Sequence, residues 1–292
     1  MLAVVGAWML LAPAAWAGRI EPRSFFAATL GRAWEYNIYL PDGYDAGAAR
    51  RYPVLYLLHG FGSDRNDWLI KGQIDRLADE MIADGTIPPC LIVMPSAGRS
   101  WYLDGIEPME TAFLKDLLPE IEGSFMANGE REGRIVAGVS MGGYGALRLA
   151  LGHPETFAAV ALLSPAIYTP LPPSGSASRR SAVFATNGQF DPALWQALNY
   201  PTLLAHFQAS NLAVPLFAVA GSEDELHIGG HVADLARVWH RNHWPGTFLV
   251  LAGKHNFAMW RRVMPDALRF LFRQITDPDT RLATSLPSRR RR

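Results

Sequence analysis

A chain of 292 residues, 49% of them hydrophobic, holds enough apolar material for one substantial core, and length alone permits one or two domains. Its 27 basic and 27 acidic residues balance, which removes the electrostatic reason to expect nucleic acid or an acidic surface as a partner. One cysteine, Cys90, rules out an intramolecular disulfide; it lies in the apolar run CLIVMP and reads as a buried strand thiol.

At the N-terminus, residues 2–11 are apolar and Ala15-Trp16-Ala17 forms an A-x-A cleavage site before Gly18, although no basic residue precedes Arg19. Pro13 interrupts the stretch, which falls short of the ~20 residues a membrane span needs. Residues 1–17 are therefore read as a signal peptide. A periplasmic or secreted protein is expected, without stable membrane insertion of the mature chain.

From Arg32, AWEYNIYLP alternates like a half-buried strand, and YPVLYLLHG reads as a central parallel strand. GQIDRLADEMIADG repeats its apolar residues at helical spacing and stops at Gly85. CLIVMP is a buried strand, and METAFLKDLLPEIEGSF is a helix that Pro119 must kink or interrupt. GRIVAGVS is a strand, YGALRLALGHP a helix, and FAAVALLSP and PLFAVAGSED are strands. GGHVADLARVWHRNH is a helix, GTFLVLAG a strand, and MWRRVMPDALRFLFRQI a closing helix. This alternation predicts an α/β fold with a mostly parallel central sheet, helices on both faces, and the first pair of strands as the place for an antiparallel edge.

Residues 168–205 break the rhythm with TPLPPSGSASRRS followed by FDPALWQALNYPTLL. Because the flanking strands belong to one sheet, the stretch is read as a cap over a site rather than a boundary. One domain is expected over 18–280. Residues 281–292, ending in SLPSRRRR, are expected to be a disordered, solvated basic tail.

GVSMGG then acquires a context. Ser140 stands between a strand and a helix, where a tight turn aims its hydroxyl out of the sheet's C-terminal edge, with Gly138, Gly142 and Gly143 easing the turn. A serine hydroxyl is a weak nucleophile and requires a base. The strand PLFAVA runs into Gly221-Ser222-Glu223-Asp224, and GTFLVLAGK runs into His255. Ser140, Asp224 and His255 thus follow three strands in the order a nucleophile, acid and base would take; Glu223 and Glu225 are near rivals of Asp224. In HGFGS, the backbone N–H of Phe61 can face that of Met141 as oxyanion donors. His59 precedes the glycine turn and reads as a structural histidine.

Trp101 and Tyr102, in GRSWYLDG, are expected to line the substrate pocket with Trp68 and Trp260. His227 and His231 lie four apart and His240 and His243 three apart, but the first pair straddles Gly229-Gly230 at a helix start and need not share a face. With one cysteine and no H-E-x-x-H pattern, neither metal nor cofactor is expected.

The pieces YPVLYLLHGFGSDRNDW, SWYLDG, GVSMGGYGALRLALGHPETFAAVALLSP, GSED and GKHNFAMW resemble the esterase D-like branch of the α/β-hydrolases, from about Arg32 to Phe272. That branch includes feruloyl and acetylxylan esterases, S-formylglutathione hydrolases, tributyrin esterases and antigen 85 mycolyltransferases. The resemblance implies an α/β-hydrolase fold with a short cap insertion, Ser140, Asp224 and His255 as the triad, and donors at Phe61 and Met141. It implies a serine carboxylesterase acting on a small-molecule or carbohydrate ester. The alternatives are an acyltransferase passing its acyl group to a sugar hydroxyl and a non-catalytic binding module on the same fold.

Overall fold

Runs such as VLYLL, LIVMP and AVALL have no polar face, so strands built from them must be covered on both sides. The computed structural model describes residues 17–47 and 49–275; the expected signal peptide, apart from Ala17, and the expected basic tail lie outside them. The strands are β1 (Arg19–Ala27), β2 (Arg32–Leu40), β3 (Val54–Leu58), β4 (Leu91–Pro95), β5 (Arg134–Val139), β6 (Ala159–Leu163), β7 (Ala185–Thr186), β8 (Gln189–Phe190), β9 (Leu216–Gly221) and β10 (Gly246–Leu251). β7 and β8 make a small hairpin within the insertion. The other eight form one sheet in the order β1-β2-β4-β3-β5-β6-β9-β10.

From β4 to β10 every pairing is parallel; β2 runs antiparallel to both β1 and β4. The sequence reading lacked β1, whose alternation is weak and which carries Pro22. An edge strand tolerates a proline because one side of its backbone donates to no neighbour. The antiparallel edge is thus β1–β2, while β3 is central, between β4 and β5.

β3 shows how the two faces are filled. Val54, Tyr56 and Leu58 join one apolar cluster with the helices Met141–Gly152 and Ile228–Arg241. Leu55 and Leu57 join the other, with the helices Ile74–Ala83 and Phe257–Phe272. The strand's period of two thus sends alternate residues into two separate cores.

Pro119 interrupts its helix as expected. The helix Met109–Ala112 widens into a π-turn over Phe113–Leu117 before the helix Leu118–Ser124 resumes, and the Leu118 N–H reaches back five residues to the Phe113 carbonyl. Proline has no N–H to donate and crowds the carbonyl four residues before it, so the preceding turn opens.

The insertion is packed onto the body. Fully buried Trp195 meets Phe184 at 4.8 Å between ring centroids, and Phe184 meets Trp101 at 5.0 Å. The Trp195 indole N–H donates to the Tyr168 carbonyl at 3.2 Å. Arg148 of the helix Met141–Gly152 donates to the Leu198 carbonyl at 2.9 Å while holding Glu110 at 2.7 Å. We expect Trp195→Ala to lower unfolding free energy by about 3–5 kcal/mol in urea denaturation. A loss below about 1 kcal/mol would show that the insertion is not part of the core.

Candidate active site

β5 ends at Val139 and the next helix begins at Met141, so Ser140 carries the whole change of direction. Its backbone lies at φ 54° and ψ −115°, a conformation of the kind that costs an L-residue about 1–3 kcal/mol. Three hydrogen bonds hold it there. Its N–H donates to the Leu163 carbonyl, and its carbonyl accepts from the Tyr144 and Ala166 N–H groups, each at 3.0 Å.

The neighbouring glycines act differently from the expectation. None of Gly138, Gly142 and Gly143 has positive φ. What they supply is space: a Cβ on Gly142 would lie 2.4 Å from the Leu58 carbonyl oxygen. The close approach brings the end of β3 against the serine turn and sets Gly60 beside Ser140.

β9 and β10 are neighbours in the sheet, so the loops leaving their C-terminal ends emerge together. They deliver Asp224 and His255. His255 Nδ1 lies 2.8 Å from Asp224 Oδ2, and its Nε2 lies 3.0 Å from Ser140 Oγ. With Nδ1 donating to the carboxylate, Nε2 is free to accept from the serine hydroxyl. The Asp224 side chain is fully buried, and its second oxygen accepts from the Leu226 N–H at 2.9 Å. Glu223 and Glu225 are exposed, so only Asp224 among the three candidates touches the imidazole.

The His255 ring meets Trp260 edge to face, at 5.1 Å between centroids and 85° between planes. The Trp260 indole N–H donates to Ser164 Oγ at 3.1 Å in a buried setting. Ser164 itself has φ 44° and donates its N–H to the Val219 carbonyl at 2.7 Å. One turn after β6 therefore supports both the serine, through Leu163 and Ala166, and the histidine, through Ser164 and Trp260.

The backbone N–H groups of Phe61 and Met141 have no hydrogen-bond partner among the described residues. They belong to the two turns that the Gly142 contact presses together. His59 is 1% exposed, and its ring is fully engaged: Nδ1 donates to the Gly60 carbonyl at 2.7 Å and Nε2 accepts from the Ala97 N–H at 2.8 Å.

Three of the four aromatic residues expected in the pocket lie elsewhere. Trp101 and Tyr102 are 1% and 0% exposed, with successive φ values of 59° and 56° that turn the rings inward. Tyr102 packs on Gly145, where a Cβ would come within 2.6 Å of its ring. Its hydroxyl accepts from the His59 N–H at 3.0 Å. Trp68 is 1% exposed, donates to the Leu58 carbonyl at 3.1 Å, and stands behind Phe257 at 5.5 Å. All three are supports for the loops around Ser140. Trp260 alone reaches the cleft.

That cleft measures about 1020 Å³ and opens over Ser140 and His255. Its walls include Phe61, expected at the site for its backbone N–H, and Phe257, Leu226, Arg180 and Arg261, which the sequence reading did not single out as site residues. The insertion contributes Gly175, Ala177 and Arg180, so part of it does cover the site. The remaining wall residues gave no signal beyond their nearness to the motif loops.

The sheet order, the turn at Ser140 and the loops after β9 and β10 define the α/β-hydrolase class. Solved structures of the same fold include a ferulic acid esterase, with TM-score 0.74 and 24% identity over 89% of this chain and 99% of that one. An S-formylglutathione hydrolase from Agrobacterium tumefaciens superposes with TM-score 0.69 and 19% identity, over 90% and 98% of the two chains. Within that class, the family model described as "Putative esterase" matches residues 27–271, and the chain belongs to that esterase family.

Among curated relatives, an endo-1,4-beta-xylanase/feruloyl esterase of Xylanibacter ruminicola is 34% identical over 162 residues, covering 52% of this chain. An esterase of Mycobacterium tuberculosis is 40% identical over 129 residues, covering 42%. The matched stretches span 22% and 27% of those relatives' own lengths.

Burial holds His59 and His231 below the ordinary histidine value of 6.5. In the unfolded chain each ring takes up a proton as pH falls past about 6.5, whereas in the folded chain it resists. Their stabilising contribution is thus present above that pH and declines below it. We expect Tm to fall between about pH 7 and 5 in thermal scans, and His59→Gln to flatten the slope; a flat wild-type profile would contradict this.

Proposed function

We propose that the chain is a serine carboxylesterase. Ser140 Oγ attacks the carbonyl carbon of a carboxylic ester while His255 Nε2 takes the hydroxyl proton. The carbonyl oxygen becomes an oxyanion received by the Phe61 and Met141 N–H groups. As the tetrahedral adduct collapses, the bond to the alcohol oxygen breaks, His255 returns its proton to that oxygen, and the acyl group stays on Ser140. Water then repeats the sequence: His255 removes its proton, the oxygen adds to the acyl carbon, and the carboxylic acid leaves as Ser140 regains its hydrogen. Asp224 holds the imidazole in one tautomer and stabilises the imidazolium in both halves.

The observation that carries this reading is the unbroken line from Asp224 through His255 to Ser140, at 2.8 and 3.0 Å, opening into a cleft. Membership of the esterase family supports the reaction class. The apolar stretch ending in Ala15-Trp16-Ala17 supports export, which cell fractionation would check.

We expect Ser140→Ala to reduce hydrolysis of p-nitrophenyl esters to the buffer rate without altering Tm. Asp224→Asn should lower kcat by about 10³–10⁴-fold, because the amide favours the wrong tautomer. A chain-length series of these esters, beside feruloyl and acetyl-sugar esters, would define the acyl group. Wild-type turnover by Ser140→Ala would refute the mechanism.

A further inference from the structure

We propose that the cleft over Ser140 selects esters that carry a negatively charged group, held by Arg180 and Arg261. The inference rests on the carboxylesterase reading and adds a substrate class to it. Arg180 comes from the insertion and Arg261 from the helix Phe257–Phe272, so two separate elements bring guanidinium groups to one cleft. Both side chains are exposed, and neither has a hydrogen bond or carboxylate partner among the described residues.

Their state contrasts with the other charges nearby. Lys71, on the same wall, is engaged with Asp67 at 2.7 Å. Away from the cleft, Arg32 is held by Glu107, Arg134 by Glu122 and Arg148 by Glu110. Arg99 packs 5.4 Å from the centre of the Phe61 ring but lines a separate recess with Arg32 and Glu107, outside this wall. The opposing unpaired group in the wall is the Glu225 carboxylate. Arg180 and Arg261 are therefore the two cations of this wall without a carboxylate partner among the described residues, while Lys71 is paired with Asp67 and the Asp224 carboxylate is held behind His255.

A guanidinium fork matches the paired oxygens of a carboxylate, sulfate or phosphate, and its charge persists at any working pH. Phe61, Phe257 and Leu226 supply apolar surface for the carbon skeleton between that group and the scissile carbonyl. The charge can sit on the acyl part or on the alcohol part of the ester. The shared requirement is an anion within reach of Ser140.

Two substrate pairs separate these sources. For charge on the acyl side, the hemi-ester mono-4-nitrophenyl glutarate is compared with 4-nitrophenyl pentanoate. For charge on the alcohol side, 4-acetoxybenzoate is compared with 4-acetoxybenzamide. In at least one pair we expect kcat/KM for the anion to exceed that of its neutral partner by about tenfold at low ionic strength, with the ratio moving toward one at about 0.5 M salt. Arg180→Ala and Arg261→Ala should each lower that ratio, and the double variant should abolish it.

Ratios near one in both pairs, or a preference that survives the double substitution, would overturn the inference. Labelling of Ser140 by a fluorophosphonate keeps the two levels apart. If Ser140 is labelled and the ratios are near one, the anion site is wrong and the esterase reading stands. If Ser140 is unlabelled and no ester turns over, the esterase reading fails. The anion site is then decided by NMR titration of the wild type and the double variant with glutarate, where equal shifts reject it.

Discussion

A carboxylate without solvent organises the cleft over Ser140. Moving an unpaired charge into a protein interior costs several kcal/mol, so Asp224 must have partners on both of its oxygens. One is the Leu226 N–H, within its own loop, and the other is His255 Nδ1 across the gap from β9 to β10. That demand fixes the imidazole's tautomer and aims Nε2 at Ser140. The serine, in turn, sits in a backbone conformation it would not choose alone, held by carbonyl and amide groups at the end of β6. Strain and buried charge are thus concentrated within a few residues, each compensated by an adjacent strand end.

The same strand ends explain the aromatic residues. Trp68 and Tyr102 hydrogen-bond the backbone of Leu58 and His59, while Trp260 links Ser164 to the His255 ring. These contacts fix where the loops stop. A rigid surround lets hydrogen-bond donors be in place before charge develops, which is the condition for strong electrostatic catalysis.

Much of the fold was legible because the buried parallel strands are short, unbroken apolar runs that alternate with helix-patterned segments. β1 escaped because an edge strand with one solvated side carries a weaker pattern, and Pro22 argued against it. That Ser140, Asp224 and His255 come together was legible from their positions directly after strands, since sheet topology brings such ends together whatever lies between. Glu223 and Glu225 stayed near rivals of Asp224 in the sequence, because what distinguishes Asp224 is its burial and its contact with His255. The pocket was read least well. Trp101 and Tyr102 follow a strand at the correct edge, but two successive positive φ values roll their rings under the sheet's helix instead of over the site. Such a reversal leaves no periodic trace. Arg180 was hidden in a segment whose irregularity was plain and whose path over the cleft was not.

A direct test of the central claim is intact-protein and peptide mass spectrometry during turnover of a slowly deacylating ester. The account predicts one acyl adduct per chain, mapped to the peptide that contains Ser140, forming before steady state and lost on further incubation. An adduct on another residue, or turnover at the normal rate with no adduct in rapidly quenched samples, would contradict it.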